Sequence, residues 1–165
     1  MTKSQRIFIY GAPGVGKTYY SKILSRQTGY SVIAGDRIKK KLGIKIGTCQ
    51  AFKKFGDLNR GNVIKGLFFV RKTLKSAVLK ETTKSDAIIL EGAFLDPRQL
   101  LPLGRVLLLT TTDENQHKKQ FRHHLEYLFD IYGTGFKAAR IIQDYLLNEA
   151  KKLGVEILDS SKLKQ

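Results

Sequence analysis

Cysteine and long apolar runs are scarce in this sequence. Cys49 is the only cysteine among 165 residues, so no disulfide can form within the chain, and a reducing compartment fits. The first apolar run, 7–10, is far too short for a membrane span or for the core of a signal peptide. The residues before it, MTKSQ, are polar. We therefore expect a cytoplasmic protein without a membrane segment.

Acidic residues are also few. The sequence has 14 Asp and Glu against 30 Lys and Arg, which gives a formal net charge of +16. Such a charge concentrates anions, including nucleotides, phosphorylated metabolites and nucleic acid. The basic residues are spread along the chain, which fits a solvated lysine-rich surface equally well. Four aromatic residues near lysines are interpreted as core: Phe52, Phe55, Phe68 and Phe69.

The chain shows no internal repeat and no linker, and its length suits one domain over 1–165. Short apolar runs alternate with helix-like patterns, and this alternation is typical of a parallel sheet with helices on both faces. The predicted strands are 6–10, 31–34, 87–90, 105–110 and 155–158. The predicted helices are 17–27, a short one after Asp36, 59–81, a turn at 97–101, 113–131 and 134–152; 43–57 is predicted to be a loop with at most one helical turn.

A phosphate-binding motif follows the first predicted strand and opens the first helix. The pattern G-x-x-x-x-G-K-[ST] is matched by Gly11, Ala12, Pro13, Gly14, Val15, Gly16, Lys17 and Thr18. Glycines let backbone amides surround a phosphate, and the helix directs its positive end at the same anion. Lys17 can reach the β- and γ-phosphates, while the Thr18 hydroxyl can bind Mg²⁺.

This motif in this context predicts an α/β, three-layer P-loop nucleoside-triphosphate-hydrolase fold with a five-stranded parallel sheet. It also predicts ATP and Mg²⁺ as cofactors. ATP is favoured over GTP because the sequence has no guanine-reading N-K-x-D motif.

Two acidic residues lie where ligands bind in such sheets, beyond the carboxyl ends of the strands. Asp36 comes two residues after the second predicted strand and is a candidate general base for a hydroxyl acceptor. Its alternative role is a helix N-cap. Glu91 follows the third predicted strand and is a candidate Mg²⁺ ligand, or a residue that orients the acceptor. Its alternative is a surface acid near a turn.

Basic and histidine side chains offer weaker candidates. Arg37 and Arg140 are candidate phosphate clamps, because a guanidinium suits a pair of phosphoryl oxygens. A solvated charge is the alternative for each. His117, His123 and His124 fall on one predicted helix, where His117 and His124 share a face. We favour an exposed polar stripe, with contact to a phosphate or a base as the alternative. A zinc site is disfavoured because further ligands at helical spacing are not obvious.

Several segments resemble the archaeal 2-phosphoglycerate kinases, which are small P-loop kinases of the adenylate-kinase-like group. The matching pieces are GAPGVGKT, VIAGDRIKK, IILEGAFLDP, DENQHKKQF and RIIQDYLLNEAKKLGVEIL. The resemblance implies a lid-like helical region near 113–135, in which Arg122 would contact the nucleotide. It leaves 43–60 unmatched, and Phe94 stands where that family tends to have histidine. VIAGDRIKK is more weakly similar to polynucleotide 5′-hydroxyl kinases.

The predicted function is therefore ATP-dependent transfer of the γ-phosphoryl group to a small anionic acceptor such as 2-phosphoglycerate. Asp36 would act as the base, while Lys17, Arg140 and Mg²⁺ bound by Thr18 and Glu91 would stabilise the transferred group. A polynucleotide or nucleotide kinase and a nucleic-acid-binding ATPase are the alternatives, and the charge allows nucleic acid as a partner. The sequence has no acidic pair of the kind such ATPases place after a strand, and no RRM-like or KH-like motif.

Overall fold

The computed structural model describes residues 5–123 and 132–163, and their core is a five-stranded parallel sheet. The strands are β1 Ile7–Tyr10, β2 Ser31–Ala34, β3 Ile88–Glu91, β4 Arg105–Thr110 and β5 Glu156–Asp159. Their order across the sheet is β2-β3-β1-β4-β5. β1 and β3 are buried along their whole length, whereas the edge strands β2 and β5 are partly exposed. This burial is typical of a parallel sheet that is covered on both faces.

Within the described residues, six α-helices connect the strands. They are α1 Lys17–Thr28, α2 Gly35–Lys41, α3 Arg60–Thr82, α4 Pro97–Leu100, α5 Glu114–Arg122 and α6 Thr134–Leu153, with 3₁₀ turns at Ala51–Lys54 and Ser160–Lys162. α3 and α6 pack against each other. The connection from β1 to β2 through α1 runs toward one edge of the sheet, whereas the later connections run toward the other edge. Because such connections are right-handed, α1 lies on the face opposite to α3 and α6. The predicted α/β fold is confirmed.

The strand register brings three chain segments to one edge of the sheet. Glu91, the last residue of β3, pairs with Ile9 of β1 and with Ala34 of β2. The carboxyl ends of the three strands are therefore level, and the segments that follow them emerge side by side. In an open parallel sheet this edge is where ligands bind.

A close approach at Gly35 brings the start of α2 next to the end of β3. A Cβ atom at Gly35 would lie 2.8 Å from the Glu91 carbonyl oxygen and 2.8 Å from the Phe94 ring. A larger residue would force α2 away from β3. Glycine here therefore holds Asp36, the next residue, close to Glu91.

A buried ion cluster ties α3, α4 and α6 together. Glu149 accepts two hydrogen bonds from Arg71, at 2.8 and 3.1 Å, and one from Arg98 at 2.5 Å. The side chains of Arg71 and Glu149 are 3% and 1% exposed. Burial raises the pKa of Glu149, but hydrogen bonds and charge from the two arginines outweigh it and leave that pKa below its ordinary value.

The structure corrects three predictions about these elements. Asp36 is not the N-cap of α2, because the helix begins at Gly35 and Ala34 takes the N-cap position without a side-chain cap. Phe55 and Phe68 are 40% and 42% exposed, so only Phe52 of the four aromatic residues belongs to the fully buried core. β5 begins at Glu156 rather than at 155.

Part of the predicted helix 113–131 is observed, while its lid-like character stays a prediction. α5 begins after Asp113, whose side chain accepts a hydrogen bond from the Gln116 amide at 2.9 Å, and it ends at Arg122. The rest of the predicted helix, 124–131, which includes His124, lies outside the described residues. None of the helices within 5–123 and 132–163 combines the length and apolarity that a bilayer crossing requires.

Candidate active site

The loop between β1 and α1 has the backbone that a phosphate cradle needs. Gly14 and Gly16 have φ values of +83° and +91°, in the left-handed region that favours glycine. A Cβ atom on Gly14 would also lie 2.8 Å from the Cα atom of Phe121 in α5. No side chain caps α1, so the amides of its first turn can bind an anion.

Lys17 lies at the floor of this loop. It is 9% exposed, and its Nζ atom donates a hydrogen bond to the Ala12 carbonyl at 2.9 Å. Burial lowers the pKa of Lys17, while the charges of Glu91 and Asp36 act in the opposite direction. The three charged groups therefore share one cleft.

Thr18 and Glu91 together offer the ligands of a divalent cation. The Thr18 hydroxyl donates a hydrogen bond to Glu91 Oε1 at 3.3 Å. Mg²⁺ usually binds one or two carboxylates and completes its shell with phosphates and water. Among the described residues, no group of three or more His, Cys, Asp or Glu forms a metal site. The donor set therefore fits a Mg²⁺ ion that arrives with nucleotide phosphates.

Four chain segments line the cleft. They are the P-loop with the start of α1, the α2 residues Asp36 and Lys39, the loop residues Gly47 and Thr48, and the turn 91–94. Lys17, Thr18, Asp36 and Glu91, which the sequence indicated separately, are thus brought together. Phe94 is buried in the cleft wall at 3% exposure.

Lys39 and Thr48 are cleft residues that the sequence analysis did not identify. They are only 8% and 5% exposed. Lys39 follows Asp36 by three residues on a helix, which is a spacing that could have indicated a shared face. Thr48 had no such signal, because its loop has no periodic pattern. The loop is fixed against α3, since a Cβ atom on Gly66 would lie 2.7 Å from the Phe52 nitrogen.

The candidate arginines lie outside the cleft lining. Arg140 donates a hydrogen bond to the Thr111 carbonyl at 2.9 Å, just beyond the end of β4. Arg122 is exposed and lies with Lys118 on the outer side of α5. Arg37 is exposed on α2. None of these three arginines lines the cleft that contains Lys17 and Asp36, although Arg37 directly follows Asp36 in the chain.

His117 is fully buried, so the predicted exposed polar stripe is wrong for this residue. Its Nε2 atom lies 2.8 Å from the Pro13 carbonyl of the P-loop, and its Nδ1 atom lies 3.3 Å from Arg140 Nη1. A guanidinium only donates, so Nδ1 accepts and Nε2 carries the proton that it donates to Pro13. Burial lowers the pKa of His117 to about 4. The Arg140 charge lowers this pKa further, whereas the hydrogen bond to Pro13 raises it. His117 thus connects α5 and α6 to the P-loop.

Comparisons with known proteins identify the family of this chain. The family model of isopentenyl transferase matches residues 5–96, which is more than half of the chain and contains the P-loop, Asp36 and Glu91. The chain belongs to the isopentenyl transferase family. This family member is 21% identical to the mevalonate-3-phosphate 5-kinase of Thermoplasma acidophilum, and the alignment covers 92% of this chain and 86% of the relative.

Solved structures of kinases share the fold. A shikimate kinase from Acinetobacter baumannii in complex with shikimate superposes with a TM-score of 0.58 at 16% identity, covering 99% of this chain and 86% of the kinase. A deoxyadenosine kinase from M. mycoides with bound dATP gives a TM-score of 0.57 at 14% identity, covering 98% and 93%. These matches confirm the P-loop kinase fold. The 2-phosphoglycerate acceptor stays a prediction.

Proposed function

We propose that this protein is an ATP-dependent kinase that transfers the γ-phosphoryl group to a hydroxyl of a small anionic acceptor. The observation that carries the proposal is the position of Asp36 in the same cleft as Lys17 and the Thr18–Glu91 pair. The Asp36 carboxylate makes no hydrogen bond or ion pair with the described residues and is therefore available to an acceptor. P-loop, cation ligands and base are the parts that phosphoryl transfer requires.

In the proposed reaction Asp36 accepts the proton of the acceptor hydroxyl. The hydroxyl oxygen attacks the γ-phosphorus, the bond from this phosphorus to the β,γ-bridging oxygen breaks, and ADP leaves with the electron pair. Lys17 and the loop amides stabilise the negative charge on the phosphates throughout. Mg²⁺ held by Thr18 and Glu91 would supply further charge neutralisation when bound with ATP.

The acceptor is proposed to be small because the cleft, which the Phe94 turn and the Thr48 loop help to line, has a volume of only about 230 Å³. Phosphorylated hydroxy acids such as 2-phosphoglycerate and mevalonate 3-phosphate match this description. A direct contact of Arg140 or Arg122 with ATP stays a prediction, since neither lines the cleft.

A screen with γ-labelled ATP tests this function. The acceptors are 2-phosphoglycerate, mevalonate 3-phosphate, shikimate, nucleosides and an oligonucleotide with a 5′-hydroxyl. We expect label on a small anionic acceptor with the parent chain and almost none with Asp36→Asn. Label on the oligonucleotide alone would favour the polynucleotide kinase instead. Full activity of Asp36→Asn would refute the assigned base.

Isopentenyl transfer is the second candidate, because the family model that matches the chain is named for it. In that reaction the P-loop would bind the diphosphate of an isopentenyl donor, and Asp36 would deprotonate the acceptor. Incubation with a five-carbon allylic diphosphate separates the two candidates. Release of diphosphate with an alkylated acceptor, without transfer of label from ATP, would replace the kinase proposal.

A further inference from the structure

A buried lysine without a protein partner lies beside the proposed base. Lys39 is 8% exposed and lines the cleft with Asp36. Its ammonium takes part in none of the ion pairs or side-chain hydrogen bonds within 5–123 and 132–163. The Lys39 Nζ atom is not among the fully buried polar atoms that lack a partner, so the stem of this lysine is buried while its ammonium opens to the cleft. A cation that faces the cleft without a protein partner points to an anion that a ligand supplies.

The helix geometry fixes how far this ammonium is from the base. Asp36 and Lys39 are three residues apart on α2, so their side chains leave the same face with Cβ atoms about 5–6 Å apart. They do not form an ion pair with each other. A compound whose hydroxyl faces Asp36 can therefore place an anionic group against Lys39 only if it is small.

Thr48 adds a second donor in the same cleft. It is 5% exposed, lines the cleft and makes no side-chain hydrogen bond with the described residues. Its loop leads into the 3₁₀ turn Ala51–Lys54, which packs directly on Gly66 of α3. The main chain thus holds Thr48 in position. An ammonium and a hydroxyl are donors that phosphate and carboxylate groups accept from.

The charges of the cleft make such a site necessary for an anionic acceptor. Asp36 and Glu91 are both negative and would repel it. Lys17, the other buried lysine of the cleft, is bonded to the P-loop carbonyl of Ala12 and lies where the nucleotide phosphates bind. Among the described residues that line the cleft, Lys39 is the cation that remains for the acceptor.

We infer that Lys39 and Thr48 form an anion subsite that binds a phosphate or carboxylate group of the acceptor. The inference rests on the proposed function, since it assigns the charged end of the molecule whose hydroxyl faces Asp36. Lys39 is thereby a specificity-determining residue, which selects anionic hydroxy compounds over neutral ones of the same size.

Calorimetric titration of inorganic phosphate into the full chain tests the subsite. The chain is first saturated with Mg²⁺ and a non-hydrolysable ATP analogue, so that the P-loop is filled. We expect phosphate to bind the parent chain, and its affinity to fall at least about tenfold in Lys39→Gln and about fivefold in Thr48→Val. Lys40→Gln, which changes an exposed lysine of the same helix, is the matched control and should bind as the parent does. Acetate in place of phosphate shows which kind of anion is preferred.

Each outcome decides the inference. Phosphate affinity that is unchanged in Lys39→Gln, or absent from the nucleotide-filled parent, overturns it. An equal loss of affinity for the ATP analogue in Lys39→Gln would assign Lys39 to the nucleotide and also overturns it. A parent chain that binds no ATP analogue refutes the proposed function instead. In that case phosphate is titrated into the nucleotide-free parent and into Lys39→Gln, and equal affinities overturn the subsite. Lys39→Met, which keeps the apolar stem, replaces the glutamine variant if that chain does not fold.

Discussion

Replacing His117 by glutamine should change how the stability of the protein depends on pH. The imidazole is completely buried, donates a hydrogen bond to the Pro13 carbonyl at 2.8 Å and accepts one from Arg140 at 3.3 Å. Burial is the main reason why its pKa is about 4 in the folded protein. In the unfolded chain the pKa of a histidine is about 6.5.

The direction of the effect follows from the protons bound in each state. Between these two pKa values the unfolded chain binds a proton at His117 and the folded protein does not, so the free energy of unfolding falls with decreasing pH. The contribution is fully present above about pH 6.5 and is lost as the pH falls toward 4. Its total size is about 3 kcal/mol, of which about 2.5 kcal/mol is lost between about pH 7.5 and pH 4.5.

Urea unfolding across this pH range measures the effect in the parent chain, in His117→Gln and in His123→Gln. The free energy of unfolding of the parent should exceed that of His117→Gln at neutral pH, and the gap should shrink by about 2.5 kcal/mol toward pH 4.5. Other titrating groups cancel in this difference. His123 is exposed after the end of α5, so its variant should follow the parent. Parallel pH profiles for the parent and His117→Gln would refute the buried, neutral imidazole.

Three further substitutions test the site and the core. Lys17→Ala should remove most of the thermal stabilisation by Mg-ATP, because the phosphates lose the lysine of the loop; an unchanged shift in melting temperature would contradict this. Asp36→Asn should lower turnover about 10²- to 10⁴-fold and leave ATP affinity nearly intact, as steady-state kinetics and calorimetry can show; a fully active variant would exclude Asp36 as the base. Glu149→Ala should destabilise the fold by about 3–5 kcal/mol in urea unfolding, because Arg71 stays buried without its partner. In the parent, the stabilisation by Glu149 should be present above about pH 4.5 and should be lost as the pH falls through its lowered pKa. If Glu149→Ala lowers the free energy of unfolding by less than about 1 kcal/mol, the cluster does not stabilise the fold as argued.

Local patterns in the sequence predict the P-loop, the helix α3 and the acidic residues at the strand ends, because each depends mainly on residues that are close in the chain. The P-loop is contiguous, and its glycines, lysine and threonine predict a phosphate cradle wherever a strand precedes and a helix follows. Apolar side chains that recur every three to four positions predict a helix over 59–81. The observed α3 begins one residue later, because Asn59 is its N-cap, and it also ends one residue later. The rule that ligands bind beyond the carboxyl ends of parallel strands placed Asp36 and Glu91 at one edge.

Only the tertiary structure shows which residues of distant segments contact one another. His117 stands among polar neighbours on α5, and its burial arises from the packing of that helix against the P-loop and α6. Arg140 has the residue type of a phosphate clamp, but its bond to the Thr111 carbonyl holds it outside the cleft lining. Thr48 comes from a loop without periodicity, and it lines the cleft because the following turn packs on Gly66. These contacts join residues that are far apart in the chain. They form because the whole fold packs in this way, so the pattern of neighbouring residues does not predict them.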